Sequence, residues 1–81
     1  MQQSDQGADI GVYGLGTMGS ALALNLAEKG FSVAVSNREA AWIGSFLEEA
    51  GPLAARITGE ADLGAFVKAV ARPRTILFMI P

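Results

Sequence analysis

The chain has 81 residues, 51% of them hydrophobic and 17% charged, with a formal net charge of −2. Its six Lys and Arg are scattered with no basic patch, which argues against nucleic acid as a partner. There is no cysteine, hence no disulfide or thiolate chemistry, which fits a cytoplasmic setting, and no histidine, the commonest general base and metal ligand. The length allows one small domain at most, and the apolar content is rich for so short a chain, so the sequence reads as part of a larger protein.

Residues 1–8 are polar and aperiodic and are expected to form a disordered tail. Asp9 to Tyr13 is the first strand, apolar on both faces as a central parallel strand requires. Gly14-Leu15-Gly16-Thr17-Met18-Gly19 follows, and a helix opens directly behind it. A G-x-G-x-x-G is weak by itself; between a strand and a helix it is a dinucleotide-binding fingerprint. In that reading Gly14 turns the chain off the strand and Gly16 lets a pyrophosphate approach the backbone. Gly19 lets the helix lie close to the strand. The helix start offers unpaired N–H groups and the positive end of its dipole. The alternative is a glycine-rich turn that holds no ligand.

The first helix runs from Thr17 or Met18 to Lys29, with Gly30 as its stop. It is apolar almost all round, so burial on more than one side is expected, with Asn25 a satisfied buried amide or the edge of the apolar face. Ile10 to Ala27 is not a membrane span or signal peptide: glycines, Thr17, Ser20 and Asn25 interrupt it and no cation precedes it.

Phe31 to Ser36 is the second strand, with Val33 and Val35 as β-branched members. Ala40 to Ala50 is the second helix, with Trp42, Ile43, Phe46, Leu47 and Ala50 on one face. Trp42 reads as a core or interface anchor rather than a cofactor contact. Gly51-Pro52 ends this helix, and Ala54 to Thr58 is a weak third strand. Asp62 to Val70 is the third helix, capped by Asp62, with Leu63, Phe66, Val67 and Val70 on its apolar face. Arg72-Pro73-Arg74 breaks the chain before a fourth strand, Thr75 to Ile80. The class is α/β: a partial Rossmann-type parallel sheet, βαβαβαβ, with right-handed crossovers and expected strand order 3-2-1-4.

A second site lies at the end of the second strand. An NAD-binding fold usually carries Asp or Glu there, for the adenosine 2′-hydroxyl. Here stand Ser36, Asn37 and Arg38. A guanidinium attracts a 2′-phosphate with charge-assisted bonds, so Arg38 points to NADP, with NAD as the alternative. Glu39 works against the phosphate if it lies beside it, or favours the dipole if it starts the helix.

On these residues the chain resembles the β-hydroxyacid dehydrogenase superfamily: GLGTMG, the Ala/Leu helix ending Glu28-Lys29-Gly30, and Ser36-Asn37-Arg38. Within it the chain is most similar to the 6-phosphogluconate dehydrogenase family. The long segment with the Phe46-Leu47 helix and the approach Arg72-Pro73-Arg74 to an apolar strand both favour that member. The resemblance covers nearly all of residues 9–81, which would be the N-terminal part of a dinucleotide-binding domain. It implies that Gly14, Leu15, Gly16, Thr17, Met18 and Gly19 bind the pyrophosphate. It implies that Asn37 and Arg38 grip the 2′-phosphate, with Glu39 where the family usually has Thr. Ile80 and Pro81 would begin the loop that touches the nicotinamide half.

The resemblance further implies oxidative decarboxylation of 6-phosphogluconate to ribulose 5-phosphate, in the pentose phosphate pathway, by a larger cytoplasmic homodimer. The catalytic lysine and glutamate and the sugar-phosphate site are expected beyond Pro81; no catalytic or metal-binding residue is expected within the 81. Two other readings stay open. One is the same portion of another β-hydroxyacid dehydrogenase acting on a small 3-hydroxy acid; the other is a non-catalytic nucleotide-sensing module. Sequence beyond Pro81 separates them.

Overall fold

The structure, a computed structural model, describes residues 7–79. Residues 1–6 of the expected disordered tail, and Ile80 and Pro81 of the expected nicotinamide loop, lie outside the described residues. Four parallel strands form one sheet, β1 (Ile10–Tyr13), β2 (Val33–Ser36), β3 (Ile57–Gly59) and β4 (Ile76–Phe78). Their order is β3-β2-β1-β4, as expected. Helices α1 (Thr17–Glu28), α2 (Ala40–Ala50) and α3 (Leu63–Ala69) connect them.

Strand periodicity sorts the core into two layers. Ile10, Val12, Val33, Val35 and Ile57 face α1 and α2, where they meet Ala23, Ala27, Ile43, Phe46 and Ala50. Tyr13, Ala34 and Ile76 face the other way, onto Phe66 and Val70 at α3. Because α1 and α2 share one face, the chain steps outward from β1 to β3 and then returns past β1 to lay down β4. Strand order therefore reverses at β1, and a crevice opens there at the carboxyl ends of the strands.

Several boundaries differ from the sequence expectations, each for a local reason. Ala8 belongs to the fold and not to a tail: it is buried and bridges Val70, donating to the Ala69 carbonyl (2.7 Å) and accepting from the Ala71 N–H (2.8 Å). Phe31 stays outside β2 and exposed because its N–H closes the end of α1 on the Leu26 carbonyl (3.1 Å). Gly51-Pro52 ends α2 but does not straighten the chain. Pro52 sits at the start of a 3₁₀ helix, Gly51–Arg56, which delays β3 to Ile57. Only a Gly19, Ala23 and Ala27 stripe of α1 is buried, where burial on more than one side was expected. Leu22, Leu24 and Leu26 are half-buried, and Asn25 is exposed at the edge of the apolar face. Leu63 is exposed and stands off the α3 core. Asp62 caps α3 as expected, accepting from the Ala65 N–H at 2.9 Å.

One buried polar atom in the sheet has no partner among the described residues: the Ser36 hydroxyl, in a fully buried residue at the end of β2. A buried unmade hydrogen bond costs about 1–3 kcal/mol, so its removal offsets the small loss of packing. Ser36→Ala is expected to leave stability unchanged or raise it by about 1 kcal/mol, measured by urea unfolding. A loss above that size would mean the hydroxyl is bonded in the folded protein.

Candidate functional site

The crevice is built from the ends of three strands and the start of two helices. A cleft of about 580 Å³ is lined by Tyr13 and Gly14 at the end of β1, Gly16 at the start of α1, and Met79 after β4. Asn37 and Arg38 beyond β2, with Trp42 in the first turn of α2, complete it.

The glycine turn has three distinct constraints. Gly14 adopts φ of 108°, a region that side chains disfavour, and its N–H continues the sheet to the Ser36 carbonyl at 2.9 Å. Gly19 lies so close to the turn that a Cβ there would overlap the Gly14 carbonyl oxygen. Gly16 is the opposite case. It is the N-cap of α1, no side chain caps that helix, and a Cβ there would meet nothing within 4 Å. The space in front of Gly16 is open toward the cleft, and the first-turn N–H groups of α1 lack intrahelical partners. An open, uncapped helix start of this kind has the chemistry to cradle an anion. Thr17 and Met18 occupy that turn and are exposed, Met18 at 72%.

Leu15 behaves differently from its neighbours in the motif. Its side chain is buried in the α1/α2 core, and its N–H donates to Asn37 Oδ1 at 2.7 Å in a buried bond. Asn37 Nδ2 in turn donates to the Glu39 carbonyl at 3.2 Å. Asn37 is therefore a brace between the glycine turn and the β2–α2 loop, and it also lines the cleft. Sequence reasoning placed Asn37 at the site but did not detect this bracing, because the partners are 22 residues apart.

Arg38 is exposed, lines the cleft, and has no hydrogen bond or ion pair among the described residues. Its charge is uncommitted within the described chain. Glu39 is the N-cap of α2; its backbone carbonyl accepts from the Trp42 N–H at 3.0 Å, while its side chain is exposed and makes no capping bond. The carboxylate thus stands at the positive end of α2.

Trp42 corrects an expectation. It is not in the core: it is 49% exposed and forms part of the cleft wall beside Arg38. The α2 residues that do pack inward are Ile43, Phe46 and Ala50. Period alone grouped Trp42 with that face, but one position ahead of Ile43 places it about 100° round the helix, at the rim.

The residues thus gathered fit a dinucleotide: an open backbone cradle at Gly16, Thr17 and Met18, and an uncommitted guanidinium across the cleft. Among the described residues there is no group of three or more His, Cys, Asp or Glu side chains placed to hold a metal ion. No helix among them is long and apolar enough to cross a membrane.

Comparison with known proteins agrees with this geometry. The family described as the NAD binding domain of 6-phosphogluconate dehydrogenase matches residues 9–81. A decarboxylating 6-phosphogluconate dehydrogenase of Treponema pallidum (strain Nichols) is 45% identical over 74 residues, covering 91% of this chain and 15% of the relative. The chloroplastic decarboxylating 6-phosphogluconate dehydrogenase 2 of Oryza sativa subsp. japonica is 43% identical over 72 residues, 88% of this chain and 14% of the relative. The NADP(+)-dependent, decarboxylating 6-phosphogluconate dehydrogenase of Bacillus subtilis (strain 168) is 42% identical over 71 residues, 88% of this chain and 15% of the relative. The chain spans 14 to 15% of the length of these curated relatives. With the family matched from Asp9 to the last residue, the chain belongs to the NAD-binding domain family of 6-phosphogluconate dehydrogenase.

Proposed function

We propose that this chain binds NADP as the first part, residues 9–81, of a larger dinucleotide-binding domain, with NAD as the weaker ligand. The observation that carries this is the uncommitted Arg38 guanidinium on the same cleft as the open Gly16 cradle. The pyrophosphate rests on the N–H groups of Gly16, Thr17 and Met18 at the start of α1. Gly14 and Gly19 shape the turn, and Leu15 anchors it. Arg38 pairs with the 2′-phosphate, assisted by the remaining Nδ2 hydrogen of Asn37. Glu39 opposes this phosphate and tempers the preference. Ile80 and Pro81 carry the chain toward the nicotinamide half.

In the whole protein the activity is oxidative decarboxylation of 6-phosphogluconate to ribulose 5-phosphate, a step of the pentose phosphate pathway in the cytoplasm, catalysed by a homodimer. The bound dinucleotide supplies the hydride acceptor. The 81 residues contribute binding and orientation; the sugar-phosphate site and the proton-transferring groups belong to the rest of the enzyme. The relatives, decarboxylating 6-phosphogluconate dehydrogenases by name, support this activity, and the NADP(+)-dependence of the Bacillus subtilis relative supports the cofactor.

Three substitutions test the site. Gly16→Val fills the open cradle with a β-branched side chain and is expected to abolish dinucleotide binding without unfolding the chain, since no protein atom stands where its Cβ goes. Unchanged affinity by calorimetry would remove the loop from the site. Arg38→Ala is expected to weaken NADP roughly tenfold to hundredfold, corresponding to charge-assisted bonds of about 1.5–3 kcal/mol, and to leave NAD nearly unaltered. Glu39→Thr is expected to strengthen NADP selectively, and both effects should shrink as salt rises. Equal losses of NADP and NAD in Arg38→Ala would take away the phosphate-reading role.

Asn37→Ala separates bracing from ligand contact. It strands the buried Leu15 N–H, at a cost of about 1–3 kcal/mol in stability, and should weaken both dinucleotides by loosening the turn, with a further loss for NADP alone because the Nδ2–H to the 2′-phosphate goes too. Thermal unfolding that matches the parent would contradict the brace.

A further inference from the structure

Trp42 is the sole tryptophan of the chain, and it stands half-exposed in the first turn of α2. It borders the cleft shared by Gly14, Gly16 and Arg38, and it also borders the groove along α1 lined by Gly16, Thr17 and Ser20. The indole therefore borders both the cleft that Arg38 lines and the groove beside the first turn of α1. In a dinucleotide the segment between the pyrophosphate and the 2′-phosphate is the adenosine ribose, and the base hangs from it. A large aromatic face left in solvent at that place has the chemistry to receive a base. Stacking on an indole needs no matched donor or acceptor, and it is insensitive to the charge on the neighbouring ribose.

We propose that Trp42 is the stacking platform for the adenine ring, and that it supplies affinity common to NAD and NADP while Arg38 supplies the difference between them. This rests on the dinucleotide-binding reading of the cleft. Trp42 is then a specificity-determining residue for adenine against no base, not for phosphate against hydroxyl. The packing of α2 does not depend on it, because Ile43, Phe46 and Ala50 make the buried contacts.

The experiment titrates the full chain with NAD, NADP, adenosine 2′,5′-bisphosphate and nicotinamide mononucleotide, by tryptophan fluorescence and calorimetry. The three adenine-containing ligands are expected to quench the single tryptophan, and nicotinamide mononucleotide is not. Trp42→Leu keeps apolar bulk but removes the aromatic face, and is expected to weaken NAD and NADP by the same factor, about tenfold. Trp42→Phe should retain most of the affinity. Leucine and phenylalanine variants that both bind like the parent would overturn the platform while leaving the dinucleotide site intact. A loss confined to NADP would overturn it too, assigning the indole to the phosphate. A parent chain that binds none of the dinucleotides would overturn the underlying reading and this proposal with it.

Discussion

The contact on which the rest of the structure depends is the one between Gly19 and the Gly14 carbonyl. No side chain fits there, since even a Cβ would overlap that oxygen. Because the gap is closed to a methyl group, the first turn of α1 lies directly on the turn leaving β1. That seating directs the Ala23 and Ala27 stripe onto Val12, Val33 and Val35. The stripe is made of small residues because the helix is close; larger ones would lift it and pull the first-turn N–H groups away from the cleft. Neighbouring glycines of one motif thus meet opposite surroundings. Gly19 faces protein and allows no atom more, and Gly16 faces open space that the protein leaves unfilled.

The second dependence is lateral. A turn seated only on its own strand could still rock toward or away from β2. The Leu15 N–H bond to Asn37 Oδ1 removes that freedom, and it is buried, so water cannot easily compete for either partner. The Gly14 N–H bond to the Ser36 carbonyl runs parallel to it one residue earlier on each strand. Asn37 also holds the Glu39 carbonyl, at the position where α2 begins. One amide therefore ties the glycine turn to the loop that carries Arg38. The glycine turn and the Arg38 loop are thereby kept in register by one buried side chain.

Element order, strand order and the glycine turn were legible in the sequence, because each has a signal within a few residues: β-branched runs, the Gly14-x-Gly16-x-x-Gly19 spacing, the Asp62 cap. Arg38 was legible as a cleft residue from its spacing after the turn. What was not legible depends on distant partners. Ala8 looks like tail until Ala69 and Ala71 arrive to pair with it. The 3₁₀ helix at Gly51–Arg56 looks like a stop, since Gly-Pro ends an α-helix and says nothing of how the chain resumes. Trp42 shows the limit of period. Heptad-like spacing groups it with Ile43 and Phe46, but the buried face of α2 is narrow and the largest side chain falls at its margin. The same size that suggested a core anchor leaves it available to the cleft.

The electrostatics of the β2–α2 loop follow from this arrangement. Arg38 and Glu39 are adjacent and of opposite sign, so their net charge on the loop is zero. Yet they are not equivalent to a neutral surface, because the described chain shows no ion pair between them or with any neighbour. Glu39 begins α2, and the positive end of that helix stabilises a carboxylate there even without a capping bond. The same dipole favours a phosphate. In the proposed site an incoming 2′-phosphate would compete with Glu39 for the helix end while gaining Arg38. The guanidinium has the advantage of bidentate, charge-assisted bonds, whereas the dipole offers a diffuse field that solvent and salt screen. Under the reading proposed above, selection for the phosphorylated cofactor rests on the directionality of Arg38 and not on the sum of charges around it.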